Sequence, residues 1–253
     1  MKQYAEKQRN NNGVLLPDDC ECPDCHHIDL SKPGVREYFA TRPDIDISGS
    51  WPWMCDCRGQ EERRKAELLS ASNLPHRLDP RTFENFKPVI GTDKALQAAQ
   101  AFCSGEGPHI LVLVGEAGCG KSHLVEAIGR HFIAKGKSAR YEHVSELLDE
   151  LRGSYDSASQ QSAWDILERC DRAHVLLLDE VGLAKNTPWT IEHVTTMVDG
   201  RYRNTRLLVV ATNKPYAEMM ENEANFRLAS RLYDEHSGDV SVVYITAPDY
   251  RRG

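Results

Sequence analysis

His109-Ile-Leu-Val-Leu-Val-Gly115-Glu-Ala-Gly118-Cys-Gly120-Lys121-Ser122 is the stretch that decides the fold of this chain. An apolar run leads into a glycine-rich turn, and apolar positions at helical spacing follow, so the stretch predicts a strand, a loop and a helix. The phosphate-loop pattern G-x-x-x-x-G-K-[S/T] is satisfied by Gly115, Gly120, Lys121 and Ser122, in the structural context that the pattern requires. The stretch therefore predicts a nucleoside triphosphate site.

The chemistry of such a loop assigns a role to each part of it. Glycines let backbone N–H groups wrap a phosphate closely, and the start of the helix favours the anion. Lys121 is expected to reach the β- and γ-phosphate oxygens, and Ser122 to ligate magnesium. The expected nucleotide contacts are Gly115, Glu116, Ala117, Gly118, Cys119, Gly120, Lys121, Ser122 and His123. The positions expected to pack the helix on a sheet are Leu124, Val125, Ile128, Phe132 and Ile133.

Composition narrows the class of protein. The chain has 253 residues, of which 40% are hydrophobic and 27% charged, as in ordinary soluble domains. Neither an apolar stretch long enough to span a membrane nor a signal peptide is present in the sequence, so we expect a cytoplasmic protein without membrane contact. The net charge of −7 means that any contact with DNA must come from a local basic surface.

Cysteines are concentrated near the start of the chain, where five of the eight lie within residues 20–57. Their paired spacing predicts a closed tetrahedral zinc site that stabilises a small module, rather than disulfides. The expected zinc ligands are Cys22, Cys25, Cys55 and Cys57. Cys20, His26 or His27 could replace one of them, and an iron–sulfur cluster is the alternative metal centre.

A second apolar strand carries acidic residues at its end. Residues 174–178 read His-Val-Leu-Leu-Leu, and Asp179 and Glu180 follow. This is the form of a Walker B segment, in which Asp179 holds the magnesium shell and Glu180 orients or deprotonates the attacking water. Asn213 ends the next strand and is a candidate to hold that water or the γ-phosphate, although asparagine also favours turns.

The alternation of strands and helices predicts an α/β fold. We expect a three-layer αβα P-loop NTPase with a five-stranded parallel sheet. A polar, charged linker ends near residue 80, which divides the chain into an N-terminal Cys-rich module over 1–80 and an ATPase domain over 81–253.

Five short segments give the ATPase domain a family resemblance. They are Thr82-Phe-Glu-Asn-Phe86, Gly120-Lys-Ser-His-Leu124, Leu147-Leu-Asp-Glu-Leu151, Ala211-Thr-Asn213 and Pro248-Asp-Tyr-Arg251. Residues 82–251 resemble AAA+ ATPases of the DnaC/IstB family, which comprises replicative-helicase loaders and transposition helper ATPases. The cysteine pairs resemble the metal-bearing N-terminal module of the loaders, which the transposition helpers generally lack.

The resemblance implies further roles. Asn213 would be the sensor 1 residue, and Arg231 an arginine finger that acts on the γ-phosphate of the neighbouring subunit, with Arg227 a weaker accessory candidate. The ATP sites would then lie between protomers of a ring or spiral, and the domain would lack a C-terminal lid. An ordinary surface arginine is the alternative for Arg231.

The function that follows is an ATP-dependent loader of the replicative helicase. Its expected partners are that helicase, bound through residues 1–80, and single-stranded DNA, for which Tyr155, Lys185 and Arg203 are candidate contacts. Its expected cofactors are ATP, Mg²⁺ and Zn²⁺. A transposition helper that binds target DNA and a transposase is the alternative, and a small-molecule kinase is disfavoured because no acceptor-binding segment is visible.

Overall fold

The computed structural model describes residues 57–155, 162–182 and 187–250. Within these ranges the strands are β1 (Ile110–Gly115), β2 (Ala139–His143), β3 (Val175–Val181), β4 (Leu207–Thr212) and β5 (Val240–Ile245). The α-helices are α1 (Cys57–Ala71), α2 (Asp93–Ser104), α3 (Lys121–Ala134), α4 (Val144–Gly153), α5 (Ala163–Arg172), α6 (Pro188–Arg203), α7 (Tyr216–Met220) and α8 (Phe226–Leu232). The chain divides into two compact units, Met1–Arg64 and Lys65–Gly253, and the second contains the whole sheet.

The five strands form one parallel sheet in the order β2-β3-β4-β1-β5. Strands β1, β3 and β4 are almost continuously apolar and almost fully buried, because parallel strands in the centre of a sheet are covered on both faces. Both the five strands and their parallel arrangement were predicted from the alternation of elements. The carboxyl ends of β1, β3 and β4 lie side by side at one edge, where ligands bind in sheets of this kind.

Two hydrophobic clusters cover the two faces of the sheet. One cluster combines Leu111 and Leu113 of β1 with apolar residues of α2 and α3, among them Phe102 and Ile128. The other combines the alternate β1 positions, such as Val112, with α4, α5, α6 and α8. Successive side chains of a strand point to opposite faces, so the apolar strands present two apolar faces to be covered. A separate layer of helices covers each face. The predicted three-layer αβα architecture is confirmed.

The helix that follows the phosphate loop packs unusually close to the sheet. All five apolar positions predicted for its buried side are buried, as are Glu126 and Gly129. A Cβ at Gly129 would lie only 2.6 Å from Leu177 Cδ1 and 3.2 Å from the methyl groups of Leu74. The absence of a side chain at Gly129 therefore lets α3 pack directly on β3 without displacing Leu177, which places the helix start beside the ends of the central strands.

The cysteine-rich segment falls largely beyond the described residues. Cys22, Cys25 and Cys55 lie outside them, and Cys57 is the first residue of α1. The zinc site and the domain boundary near residue 80 therefore stay predictions. No helix in the described ranges combines the length and apolarity needed to cross a bilayer.

Candidate nucleotide-binding site

A cleft of about 400 Å³ opens at the carboxyl edge of β1, β3 and β4. The phosphate loop and the first turn of α3 form its floor, through residues 117–123. Glu180 from the end of β3 and Asn213 from the end of β4 also line it. The structure thus brings together residues that lie far apart in the chain and that the sequence assigns to one nucleotide site.

The phosphate loop has the backbone that an anion cradle needs. Gly118 and Gly120 have φ angles of 81° and 103°, which are strained for any residue with a Cβ. Lys121 lies at the first position of α3, and its Nζ donates to the carbonyl oxygens of Gly115 at 2.7 Å and Glu116 at 2.8 Å. The ammonium group and the helix N-terminus therefore both favour negative charge at the loop.

Asp179 is buried beneath the cleft, with 2% of its surface exposed. The hydroxyl of Tyr141 on β2 donates to its Oδ2 at 2.8 Å, and the Glu180 N–H donates to its Oδ1 at 3.0 Å. Burial raises the pKa of Tyr141, and the adjacent Asp179 carboxylate raises it further. The phenol therefore keeps its proton and remains a donor. Asp179 is in this way held in one orientation by two neighbours.

The donor groups at this edge fit magnesium. Ser122 lines the cleft and offers a hydroxyl. Asp179 is not among the lining residues, but its buried carboxylate directly precedes Glu180, which is. Hard divalent cations prefer oxygen ligands such as these. The described ranges contain no cluster of three or more His, Cys, Asp or Glu residues suited to a metal. The remaining ligands would accordingly be phosphate oxygens and water, as is usual for magnesium bound with a nucleotide.

Glu180 sits in a strained part of the backbone. Its φ angle is 61°, in the left-handed region, and the pairing of β3 with β4 shifts register between Leu178 and Val181. This conformation costs a residue with a Cβ on the order of 1 kcal/mol and re-aims its side chain. Glu180 Oε2 lies 3.0 Å from His143 Nε2, at the end of the neighbouring strand. Strain of this kind clusters at functional sites.

Asn213 presents an unused acceptor to the cleft. Its Oδ1 is buried and has no hydrogen-bond partner among the described residues. The preceding Thr212 fixes the end of β4, because its hydroxyl donates to the Val181 carbonyl and accepts from the Lys214 N–H. Since a buried polar atom without a partner is costly, the position of Asn213 fits an oxygen that binds water or a ligand.

The walls of the cleft come from two segments whose place the sequence analysis did not foresee. Phe86 packs against the His123 ring with their centroids 5.1 Å apart, and it lies beside Gly120. From the other side, the Tyr250 N–H donates to the Gly118 carbonyl at 3.1 Å, and Asp249 lies against Gly118. In the sequence both segments stand out only as family-like motifs, because their role depends on contacts with a distant loop.

His123 contacts the wall as well as lining the cleft. Its Nε2 lies 2.9 Å from the Thr82 carbonyl and 3.1 Å from Asn85 Oδ1. Burial lowers the pKa of His123, so the neutral ring donates from Nε2 to the carbonyl. The described contacts of His123 therefore hold residues 82–86 against α3.

Arg231 is not among the residues that line the cleft of its own chain. It lies on α8, 34% exposed, and its Nε donates to Asp199 of α6 at 2.9 Å. Arg227 on the same helix also pairs with Asp199. Arg231 acting on a neighbouring subunit stays a prediction.

Comparison with known proteins agrees with this geometry. Residues 56–253 match the family described as IstB-like ATP binding protein. A replicative helicase loader DnaC from Buchnera aphidicola subsp. Schizaphis graminum is 27% identical over 154 residues, which cover 60% of this chain and 62% of that protein. The chain therefore spans less than two thirds of the length of that curated relative.

Two solved structures superpose on much of this chain. The DnaC helicase loader superposes with a TM-score of 0.54 at 20% identity, covering 66% of this chain and 97% of that one. The replication initiator DnaA bound to AMPPCP and single-stranded DNA gives 0.57 at 19% identity, covering 68% and 52%. These likenesses show that the chain shares the fold of both proteins. The predicted family resemblance is confirmed by the family match. The chain belongs to the IstB-like ATP-binding protein family.

Proposed function

We propose that this protein hydrolyses ATP between protomers of a homo-oligomer and uses the cycle to load a replicative helicase onto single-stranded DNA. The observation that carries the ATPase part is the meeting of Glu180 and the unpartnered Asn213 Oδ1 with the phosphate loop in one cleft. A phosphate cradle alone explains binding. A carboxylate and an amide oxygen at its edge add the groups that hydrolysis requires.

The residues of the cleft divide the work. Lys121 and the loop N–H groups bind the triphosphate, while Ser122 and Asp179 hold the metal. Magnesium, when bound, neutralises charge on the phosphate oxygens. Glu180 accepts the proton of the attacking water or orients it, and Asn213 Oδ1 accepts a hydrogen bond from the same water. Phe86 and Tyr250 line the cleft on either side of the phosphate loop.

Hydrolysis between protomers requires that Arg231 act on the nucleotide of a neighbouring chain. Arg231 lies outside its own cleft, which supports its action on the γ-phosphate of a neighbouring chain. An arginine placed in this way supplies charge to the transition state and is worth on the order of 10³ or more in rate in related chemistry. Each active site would then be complete only between two chains.

Helicase loading is supported by the relative from Buchnera aphidicola, which is named as a replicative helicase loader. The N-terminal residues 1–80, with zinc held by the four cysteines, are proposed to bind the helicase. Single-stranded DNA is proposed as the second ligand, since the DnaA neighbour carries it. Tyr155, which is 63% exposed, and Arg203 are candidate contacts, and Lys185 lies outside the described residues.

A reconstituted loading reaction tests this proposal. The full-length chain, the replicative helicase of the same organism and circular single-stranded DNA are mixed with ATP, and helicase retained on the circles is measured. We expect retention with the parent chain and its loss with Lys121→Ala. ATP hydrolysis without any helicase retention would overturn the loader assignment.

The match to the IstB-like family keeps a second candidate open. The resemblance to the DnaC/IstB family implies that this candidate is a transposition helper, which would assemble on double-stranded target DNA. In that case ATP would promote cooperative binding to linear duplex DNA, and the helicase would change nothing. Sedimentation of the chain with duplex and with single-stranded DNA of equal length separates the two functions.

A further inference from the structure

We propose that Asp199 is a positioning residue for the arginine finger: its carboxylate holds Arg231 so that the end of the guanidinium faces the nucleotide cleft of a neighbouring chain. The inference rests on the proposed function, in which Arg231 acts between protomers. It adds a residue of α6 to that site, although Asp199 lies far from the phosphate loop in the chain.

The carboxylate of Asp199 is enclosed by the pair it holds. Its side chain is only 2% exposed, whereas Arg231 is 34% and Arg227 is 67% exposed. Asp199 Oδ1 accepts from Arg231 Nε at 2.9 Å, and Oδ2 accepts from Arg227 Nη2. Charge-assisted hydrogen bonds of this type are strong and directional, so a buried acceptor sets the direction of both side chains.

A second contact fixes the plane of the finger. The Arg231 guanidinium carbon lies 4.7 Å from the centroid of the Tyr202 ring, one turn along α6 from Asp199. The Tyr202 hydroxyl donates to Asp234 Oδ2 at 2.8 Å, which holds the ring in turn. Arginine stacks well on aromatic faces, and a carboxylate at Nε together with a ring below leaves the guanidinium little freedom to rotate.

The two terminal nitrogens of Arg231 are available to bind a phosphate. The two terminal nitrogens make no hydrogen bond to any part of the chain that the structure describes, and the side chain is partly exposed. A guanidinium anchored through Nε keeps its outer edge available, and that edge carries the paired N–H groups that bind phosphate oxygens. The hydrogen bond to Asp199 also raises the pKa of Arg231.

An exposed surface ion pair would give a different picture. Such pairs contribute little, because both partners are mobile and solvated. Here one carboxylate is almost fully buried and serves two arginines on α8. Burying an acceptor is costly unless the bonds it makes are kept, so the arrangement holds α8 in a definite geometry.

The experiment compares full-length variants for ATP hydrolysis with single-stranded DNA present. Asp199→Leu fills the buried position without an acceptor, whereas Asp199→Asn keeps an oxygen for Arg231 Nε. We expect kcat to fall about tenfold in Asp199→Leu and about threefold in Asp199→Asn, with the KM for ATP within about twofold of the parent, because the chain's own cleft is intact. Asp171→Asn, which removes the negative charge from the exposed pair with Arg206, is the matched control and should leave kcat unchanged.

Mixing chains identifies the direction of the effect. Lys121→Ala offers an ordered finger but no working cleft, and Asp199→Leu offers a working cleft but a poorly ordered finger. Together they should recover hydrolysis at mixed interfaces, which a chain damaged in its own fold would not do. If Asp199→Leu does not fold, Asp199→Asn is mixed in its place.

The outcomes distinguish the role of Asp199 from the action of Arg231 between protomers. A kcat for Asp199→Leu within twofold of the parent overturns the role of Asp199, as does its failure to be complemented when Arg231→Ala is. If Asp199→Leu does not fold, a kcat for Asp199→Asn equal to that of the parent overturns the role instead. Failure of Arg231→Ala itself to be complemented by Lys121→Ala, under conditions where the chains co-assemble, refutes the finger between protomers and with it the proposed function.

Discussion

Replacing Tyr141 with phenylalanine removes one hydroxyl and leaves the ring of a buried residue in place. That hydroxyl donates to Asp179 Oδ2 at 2.8 Å, and Asp179 has only 2% of its surface exposed. Water cannot readily replace the lost donor. A hydrogen bond to a charged group contributes about 1.5–3 kcal/mol, which corresponds to roughly 10- to 150-fold in an equilibrium constant. Loss of a partner of a metal ligand typically costs about 10–100-fold in metal affinity.

We therefore expect Tyr141→Phe to raise the magnesium concentration at half-maximal ATP hydrolysis by about 10–100-fold. The assay titrates magnesium at a fixed ATP concentration and measures phosphate release. Nucleotide binding in excess chelator serves as the internal control and should match the parent, because Lys121 and the phosphate loop are unchanged. An unaltered magnesium dependence in a folded, active variant would show that Tyr141 does not orient a metal ligand.

The remaining predictions concern the cradle, the water and the zinc. Lys121→Ala should abolish nucleotide binding, whereas Glu180→Gln should bind ATP normally and release no phosphate, and hydrolysis by the latter at the parental rate would exclude Glu180 as the water-activating group. Gly118→Ala should weaken ATP binding at least tenfold in calorimetry, because the φ angle of Gly118 is 81° and the added Cβ would lie 1.8 Å from Asp249 Oδ1. Adding Asp249→Ala removes the clash but leaves the strained φ angle, so it should recover only part of the lost affinity. Full recovery would show that the φ angle of residue 118 does not limit ATP binding. Metal analysis of the purified chain should find one zinc, which Cys22→Ser should lose; absence of both zinc and iron would contradict the metal site.

Local sequence was enough to predict the elements that carry the cleft. The apolar run before Gly115, the spacing of GKS and the two acids after Leu178 each refer to a few neighbouring residues, and they appear where expected at the ends of β1 and β3. The pattern of strands also implied a parallel sheet, because the strands are too apolar to be exposed on either face. The carboxyl ends of such strands must then meet at one edge.

The partners of these residues could not be read in the same way. His143 beside Glu180, Tyr141 beneath Asp179 and Asp199 beside Arg231 come from other strands or helices, and nothing in their local sequence marks them. A tyrosine whose hydroxyl binds a distant carboxylate cannot be told from any other tyrosine by its neighbours in the sequence.

Sequence by itself determined the family, the nucleotide chemistry and the order of the elements, since short motifs encode backbone conformation and ligand type within a few residues. Only the tertiary structure decided how residues 82–86 and 248–250 wall the cleft, why Asn213 keeps a free acceptor, and that Arg231 lies outside its own site. The physical reason is that these properties depend on distances between segments far apart in the chain. Such distances are set by how the helices pack on the two faces of the sheet.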